Sequence, residues 1–327
     1  MSLQRSSRYH VSQSCTSAGY RQCRCESKSH HACVGLPLLT CALKIVKPSE
    51  KTPLGTLAVA RLFELAGFPP GVLQVVTGAG DVGALLSAHM RIRKLSFTGS
   101  VPTGKAIQIA AAKSNLKRVT LELGGKSPAV VFADANIDNA LTWTINAILA
   151  RSGQVCMAAT RVYVQEEIAQ EFIRRYIEKM KEAASFLGDP QDTSVKMGPL
   201  VDQSQFDKVM GLISRGKDEA ELAAGGARHG ATGCYVEPTV FLNPRDDAEI
   251  YRSEIFGPVS IVKTFKTEDE VVRLANDTEF GLVAGVFTRD VSRALRLAHQ
   301  LEAGVIGVNC VSLVKFDILL SELRSQH

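Results

Sequence analysis

The stretch LKIVKPSEKTPLGTLAVARLFELAGFPPGVLQVV, residues 43–76, decides the fold. Leu43-Lys44-Ile45-Val46 is a short strand-like apolar run. Thr52-Pro53 follows as a helix N-cap with proline at the first helical position. Leu54, Leu57, Ala58, Leu62 and Leu65 then fall on one helical face, and Gly67 with Pro69-Pro70 ends the helix. Val72–Val76 is the next strand. The segment therefore predicts a β-α-β unit, with parallel strands and a right-handed crossover.

The same alternation continues downstream. It predicts a helix over 81–89, a strand over 94–97, a helix over 103–113, strands over 118–121 and 129–132, and a helix over 137–149. A strand over 161–164 and a long amphipathic helix over 166–182 follow. This pattern specifies an α/β fold, a mostly parallel sheet with helices on both faces. No fixed-period repeat or low-complexity linker interrupts it.

Composition supports a globular chain of about two domains. With 327 residues, 45% hydrophobic and 22% charged, it is no disordered polymer, collagen or small disulfide-stapled scaffold. Charge and cysteine are unevenly spread. Residues 1–42 hold five of the 8 cysteines, and five basic residues against Glu26, a net +4 of the chain's +5. The remainder is near neutral, which argues against nucleic acid as a partner. No stretch approaches the ~20 apolar residues needed to cross a bilayer, so a soluble, cytoplasmic protein is expected.

Residues 1–42 read as an irregular, poorly ordered head. Their Arg- and Ser-rich, acid-poor composition also resembles a mitochondrial transit peptide. Cys23, Cys25, His30, His31 and Cys33 invite a zinc reading, but their spacing matches no structural zinc pattern.

Two segments of the body carry chemistry. Phe97-Thr98-Gly99-Ser100 runs from a strand end through a glycine turn into a helix, where backbone amides attract phosphate. With Gly104-Lys105 it spells Gly-x4-Gly-Lys, yet Ala106 stands where a P-loop needs a hydroxyl for magnesium. A plain turn explains these glycines equally well. The second segment set pairs Glu122, at a strand end, with Cys156, after a helix and a glycine turn. A thiol nucleophile and a carboxylate able to activate water suit acyl chemistry through a thioester. Taken singly, a cysteine is more often a small buried hydrophobe, and a strand-end glutamate an ion-pair partner.

Five segments in order carry a resemblance. They are Lys47-Pro48-Ser49-Glu50-Lys51-Thr52-Pro53, Phe97-Thr98-Gly99-Ser100, Leu121-Glu122-Leu123-Gly124-Gly125-Lys126-Ser127-Pro128, Gly153-Gln154-Val155-Cys156 and Glu254-Ile255-Phe256-Gly257-Pro258. From about Leu43 to Asn309 the chain resembles the NAD(P)-dependent aldehyde dehydrogenase superfamily, with the 34-residue step from Glu122 to Cys156 the most specific feature. The resemblance implies Rossmann-like, doubly wound parallel sheets: a partial cofactor-binding domain over 43–123 and an α/β catalytic domain over 124–310, with an atypical tail at 311–327.

It also implies roles. Cys156 would attack the aldehyde to give a thiohemiacetal, whose collapse sends a hydride to the nicotinamide and leaves a thioacyl-enzyme. Glu122 would activate water to release the acid. Lys47 and Glu50 would hold the adenosine ribose, which leans toward NAD while leaving NADP possible. Gly99, Ser100 and Gly104 would meet the pyrophosphate, and Glu254 and Phe256 the nicotinamide end. Without the resemblance, Glu254 and Phe256 read as a surface carboxylate and a core aromatic.

The departures from the family pattern are expectations in their own right. The family carries, ahead of the Lys47 motif, a segment with the first cofactor-domain strands and an oxyanion-stabilising asparagine. Residues 1–42 contain no asparagine, and losing one such donor can cost ~100-fold in rate. After Asn309 the glycine-rich substrate-side motif and an oligomerising strand have no counterpart, although Phe316–Leu320 alternates like a strand. The expected function is thus oxidation of a small-molecule aldehyde to its acid. The alternative is a catalytically inactive truncated remnant or NAD-binding pseudoenzyme, and the family's homo-oligomeric assembly is left open.

Overall fold

The computed structural model describes residues 43–311. The transit-peptide and zinc readings of the head, and the alternation at 316–320, lie outside the described residues. The chain divides into two compact units, Met1–Ala79 and Gly80–His327.

In the first unit, strand β1 (Lys44–Val46), helix α1 (Leu54–Leu65) and strand β2 (Leu73–Val75) form the predicted β-α-β unit. The strands are parallel, with Lys44 opposite Leu73 and Val46 opposite Val75. Two details differ from expectation. Pro53 occupies the cap position with helical dihedrals (φ −79, ψ −23), and no side chain caps the helix. The Thr52 amide instead closes a turn onto the Ser49 carbonyl at 3.2 Å, and the first intrahelical bond runs from Leu57 N–H to Pro53 O at 3.1 Å. Proline's fixed φ already matches the helix, so the chain enters it without a capping hydroxyl. The apolar face of α1 is also not a core face. Leu54 is 77% exposed and Leu62 61%, and among the described residues of this unit only Pro48 is buried.

The second unit opens with α2 (Gly80–Ala88), β3 (Lys94–Thr98), α3 (Val101–Lys113) and β4 (Arg118–Glu122). β3 and β4 make a two-stranded parallel sheet in which Thr98 pairs with Glu122. Next come β5 (Pro128–Val131), α4 (Ile137–Leu149), β6 (Arg161–Gln165), α5 (Glu166–Ala183), α6 (Gln203–Glu219) and β7 (Glu221–Ala224). The unit ends with β8 (Thr239–Leu242), α7 (Glu249–Arg252), β9 (Val259–Phe265), α8 (Glu268–Asn276), β10 (Val283–Phe287), α9 (Val291–Gln300) and β11 (Val305–Val308).

These later strands form a seven-stranded sheet of order β11-β10-β5-β6-β9-β8-β7. It is parallel except for β7, which runs antiparallel to β8 with an irregularity between Leu222 and Ala224. The fold is α/β with a parallel-dominated sheet, as the alternation requires. β5 and β10 are buried at every residue, as expected for strands covered on both faces.

Alternation along the strands sorts two cores. Val130, Tyr163, Ile261 and Val286 face one side, with Phe206, Val209, Ile250, Leu274 and Leu297 from α6–α9. Ala129, Val131, Val162, Val164 and Val262 face the other, with Leu141, Ile148, Phe172 and Tyr176 from α4 and α5. Side-chain caps start several of these helices. Asn136 accepts from Asn139 N–H at 3.1 Å and Asp202 from Gln205 N–H at 2.9 Å. Thr267 accepts from Glu270 N–H at 3.3 Å, ahead of a first turn holding Glu268, Asp269 and Glu270 that suits the helix dipole.

Candidate active site

The site grows from the glycine turn that leaves β4. Glu122 ends that strand half-buried, and its carbonyl accepts from Gly99 N–H at 3.0 Å. The strand end bearing the carboxylate is thus tied to the turn that opens α3. Burial raises the Glu122 pKa above its ordinary value, because desolvation disfavours the charged form. Leu123, the next residue, is buried.

Gly124 and Gly125 are glycines because two other segments press on them. A β-carbon on Gly124 would collide with the Glu254 carboxylate, and one on Gly125 with the carbonyl oxygen of Cys156. Gly125 N–H also donates to Glu254 Oε1 at 3.1 Å. The turn therefore brings Cys156 and Glu254 to its two glycines, within three residues of Glu122, at most about 11 Å of extended chain. Burial raises the Glu254 pKa, against the lowering effects of the Gly125 amide and of Lys208 and Lys126.

Cys156 follows a tight segment at 150–153. Arg151 and Ser152 are left-handed at φ 50 and 57, and Gly153 at φ 74. Such non-glycine conformations cost ~1–2 kcal/mol each, and they persist only where surrounding contacts over-determine them. The contacts are present. Ser152 Oγ donates to Gly198 O at 2.6 Å, Gln154 Nε2 to Arg151 O at 3.0 Å, and Val201 N–H to Gln154 Oε1 at 2.9 Å. Gly153 packs on the Gly257 carbonyl with no space for a side chain. The thiol-bearing residue is half-buried and packs against the core under α4 and α5. It is thus only partly the small buried hydrophobe that a lone cysteine more often is.

Phe256 is likewise left-handed, at φ 57. Gln205 on α6 holds this turn, donating from Nε2 to Phe256 O at 2.9 Å and to Ile255 O at 3.2 Å. Gln205 and Ser152 were missed in the sequence. Neither lies in a chemically suggestive pattern, and only the tertiary fold gives them their carbonyl partners.

At the start of α3, Ser100 is the cap. Its Oγ accepts from Thr103 N–H at 3.4 Å and lies 2.9 Å from Thr103 Oγ1. The first turn carries no acid, so this helix end keeps its positive dipole available to an anion. Gly104 lies inside the helix, buried, where a β-carbon would come 2.8 Å from Leu123 Cδ2. Its small size serves helix-on-strand packing.

Lys47 and Glu50 belong to the first unit. Lys47 Nζ donates to Gly78 O at 2.6 Å and to Pro48 O at 2.8 Å, with the Glu50 carboxylate 3.7 Å away. Among the described residues no helix is long and apolar enough to cross a membrane.

An α/β sheet whose glycine turn gathers a thiol-bearing loop and a half-buried carboxylate at one place defines a class of thiol-bearing α/β folds. Comparison with known proteins makes the class specific. Residues 33–319 match the model of the aldehyde dehydrogenase family, and the chain belongs to that family. It is 51% identical over 268 residues to cytosolic aldehyde dehydrogenase 1 of Rattus norvegicus, covering 81% of this chain and 53% of that protein. Among solved structures, the γ-glutamyl-γ-aminobutyraldehyde dehydrogenase of Burkholderia cenocepacia superposes with a TM-score of 0.82 at 43% identity, over 86% of this chain and 57% of that one. A betaine aldehyde dehydrogenase of Staphylococcus aureus, solved in complex with NAD+, gives 0.81 at 36% identity, over 86% of this chain and 58% of its own. The chain spans about half the length of the curated relatives it matches.

Proposed function

We propose that this protein oxidises a small-molecule aldehyde to the carboxylic acid, with Cys156 as nucleophile and Glu122 as general base. The observation that carries the reading is the contact of Gly125 with the Cys156 carbonyl. It brings the thiol-bearing loop to the turn that begins at Glu122, with Glu254 bonded to the same glycine. The sulfur of Cys156 attacks the carbonyl carbon to form a thiohemiacetal. Bound NAD would supply the two-electron hydride acceptor that conversion of this adduct to a thioester requires, with Glu254 and Phe256 at its nicotinamide end. Glu122 then takes a proton from water as the water oxygen attacks the thioester carbon, and the thiol leaves with the acid formed. The net change is aldehyde plus water to acid, with one two-electron acceptor reduced.

Each unit taken by itself has residues that suit one part of a dinucleotide. The acid-free first turn of α3, with Ser100 and Thr103 exposed, suits a pyrophosphate. The exposed Glu50 carboxylate beside Lys47 suits ribose hydroxyls and repels a 2′-phosphate, which favours NAD over NADP. The rat relative's name places that protein in the cytosol, and we assign this one to the cytoplasm on that likeness. Domain limits of 43–123 for cofactor binding and 124–310 for catalysis complete the proposal.

One observation favours a second reading, a non-catalytic NAD-binding protein or remnant: the unit that carries Lys47 and Glu50 buries almost nothing of itself. Purified protein given NAD and a panel of aldehydes decides between the two. NADH formation lost in Cys156→Ser supports the enzyme. Saturable NAD binding with no turnover on any aldehyde supports the binding protein, and a broad, non-cooperative melt supports the remnant.

A further inference from the structure

Lys126 and Arg161 are both about 1% exposed, two basic side chains wholly inside the second unit. Their hydrogen-bond acceptors are backbone carbonyls and a phenol. Lys126 Nζ donates to Ile250 O at 2.8 Å, and its own carbonyl accepts from Arg161 Nε at 2.7 Å. Arg161 continues to Tyr163 Oη and Leu274 O, each at 3.1 Å, and to Ala275 O at 2.8 Å. The Tyr163 and Tyr251 hydroxyls lie 2.6 Å apart and link the group back to α7. Burying an ammonium is costly, and an apolar side chain of the same volume would avoid the desolvation. What the Lys126 amine does that a methyl group cannot is hold the Ile250 carbonyl, four residues ahead of Glu254.

We infer that Lys126 is the positioning residue of this site: its bond to Ile250, together with the Gly125 amide on Glu254, grips the 250–254 segment at two points and fixes the Glu254 carboxylate beside the thiol loop. The two grips come from adjacent residues of one turn, so they cannot shift independently. This role deepens the proposed function and rests on it where it assigns Glu254 to the nicotinamide end.

The test uses the full chain and two variants. Lys126→Met keeps the volume and removes the donor; Lys126→Gln keeps N–H donors on a shorter stem. Amide hydrogen exchange is read over peptides covering 122–128, 250–257 and, as an internal reference, the buried strand 283–287. In K126M, exchange should speed at least about tenfold in the first two peptides with no change in the third, and K126Q should show a smaller rise. The KM for NAD should rise about fivefold or more at unchanged aldehyde KM, and K126M/E254Q should be no worse than E254Q alone, as expected for residues acting as one unit. Unchanged exchange over 250–257, an equal rise in all three peptides, or effects of K126M and E254Q that multiply would overturn the inference. A wild-type chain that neither binds NAD nor turns over removes the proposed function, while the exchange pattern still decides the grip of Lys126.

Discussion

The α-carbon of Gly125 lies against the carbonyl oxygen of Cys156 so closely that no β-carbon fits between them. Two segments about thirty residues apart are locked by this contact, and every larger residue at 125 must push the thiol loop away. Gly125→Ala should lower NADH formation at least ~100-fold, since a displacement of about 1 Å suffices for that loss. Overpacking should cost about 1–3 kcal/mol of stability. Gly230→Ala is the control: its φ of +72 is strained but nothing lies within 4 Å. It should cost about 1–2 kcal/mol and leave turnover intact. Thermal melts and initial rates of the two variants check both statements.

The base proposed at Glu122 must be ionised to work, and burial raises its pKa. The acid limb of the kcat profile should therefore lie at higher pH than an ordinary glutamate would place it. Glu122→Gln should abolish that limb and slow thioester hydrolysis ~10²–10⁴-fold. The stability effect has the opposite sense. A carboxylate with a raised folded-state pKa supports folding most below its unfolded pKa, and that support is lost as pH rises through the folded pKa. E122Q should thus gain stability over wild type at pH 8, and the gain should fade as the pH is lowered toward 4. Melting temperatures across that range test the sign.

Asp134 behaves in the reverse way. Burial alone would raise its pKa, but the Thr288 hydroxyl, the Arg289 amide, the Arg293 guanidinium and the Asp290 amide together hold it below the ordinary value. Thr288 Oγ1 and Arg293 Nη1 each donate to it at 2.8 Å. Stability from this carboxylate is complete above the unfolded pKa of ~3.9 and is lost as pH falls through the folded pKa. Asp134→Asn should cost about 1–2 kcal/mol, discounted from buried-pair values because the side chain is 34% exposed. Denaturation at several pH values should show that cost constant from pH 5 to 8 and shrinking below pH 4.

Phe172 and Leu62 are both apolar helix residues, yet only one is in a core. Phe172 is fully buried and stacks on Tyr176 at 5.9 Å between ring centroids. Phe172→Ala should cost about 3–5 kcal/mol. Leu62→Ala, on the exposed face of α1, should stay within ±0.5 kcal/mol. Chemical denaturation of the two variants measures the contrast.

How much of this was legible in the sequence follows from the range of each interaction. The bounds of α4 at Ile137 and Leu149 are written in local apolar period, and β3 and β4 in short apolar runs closed by turn residues. The entry to α1 was misread by one residue because Thr52 looks like a cap until the Ser49 turn takes its amide. The period of Leu54, Leu57 and Leu62 reports a helix, but nothing in it reports whether a second layer covers the face. The partners of Glu254 were hidden for a different reason. Gly125 is 129 residues away, and the steric demand on that glycine exists only once the sheet has formed. The same holds for Gln205, whose two carbonyl partners are 50 and 51 residues distant.

The bare surface of residues 43–79 has a consequence for any unfolding measurement. The slope of stability against denaturant, and the heat capacity of unfolding, both scale with the surface newly exposed when the chain opens. Leu54, Leu62 and Leu65 already meet solvent in the folded chain, so releasing α1 from β1 and β2 exposes little more. Among the described residues, the seven-stranded sheet and its helices hold most of the buried apolar surface that a denaturation curve or a calorimetric peak reads. Opening of the β-α-β unit by itself adds little to that slope or to that heat capacity.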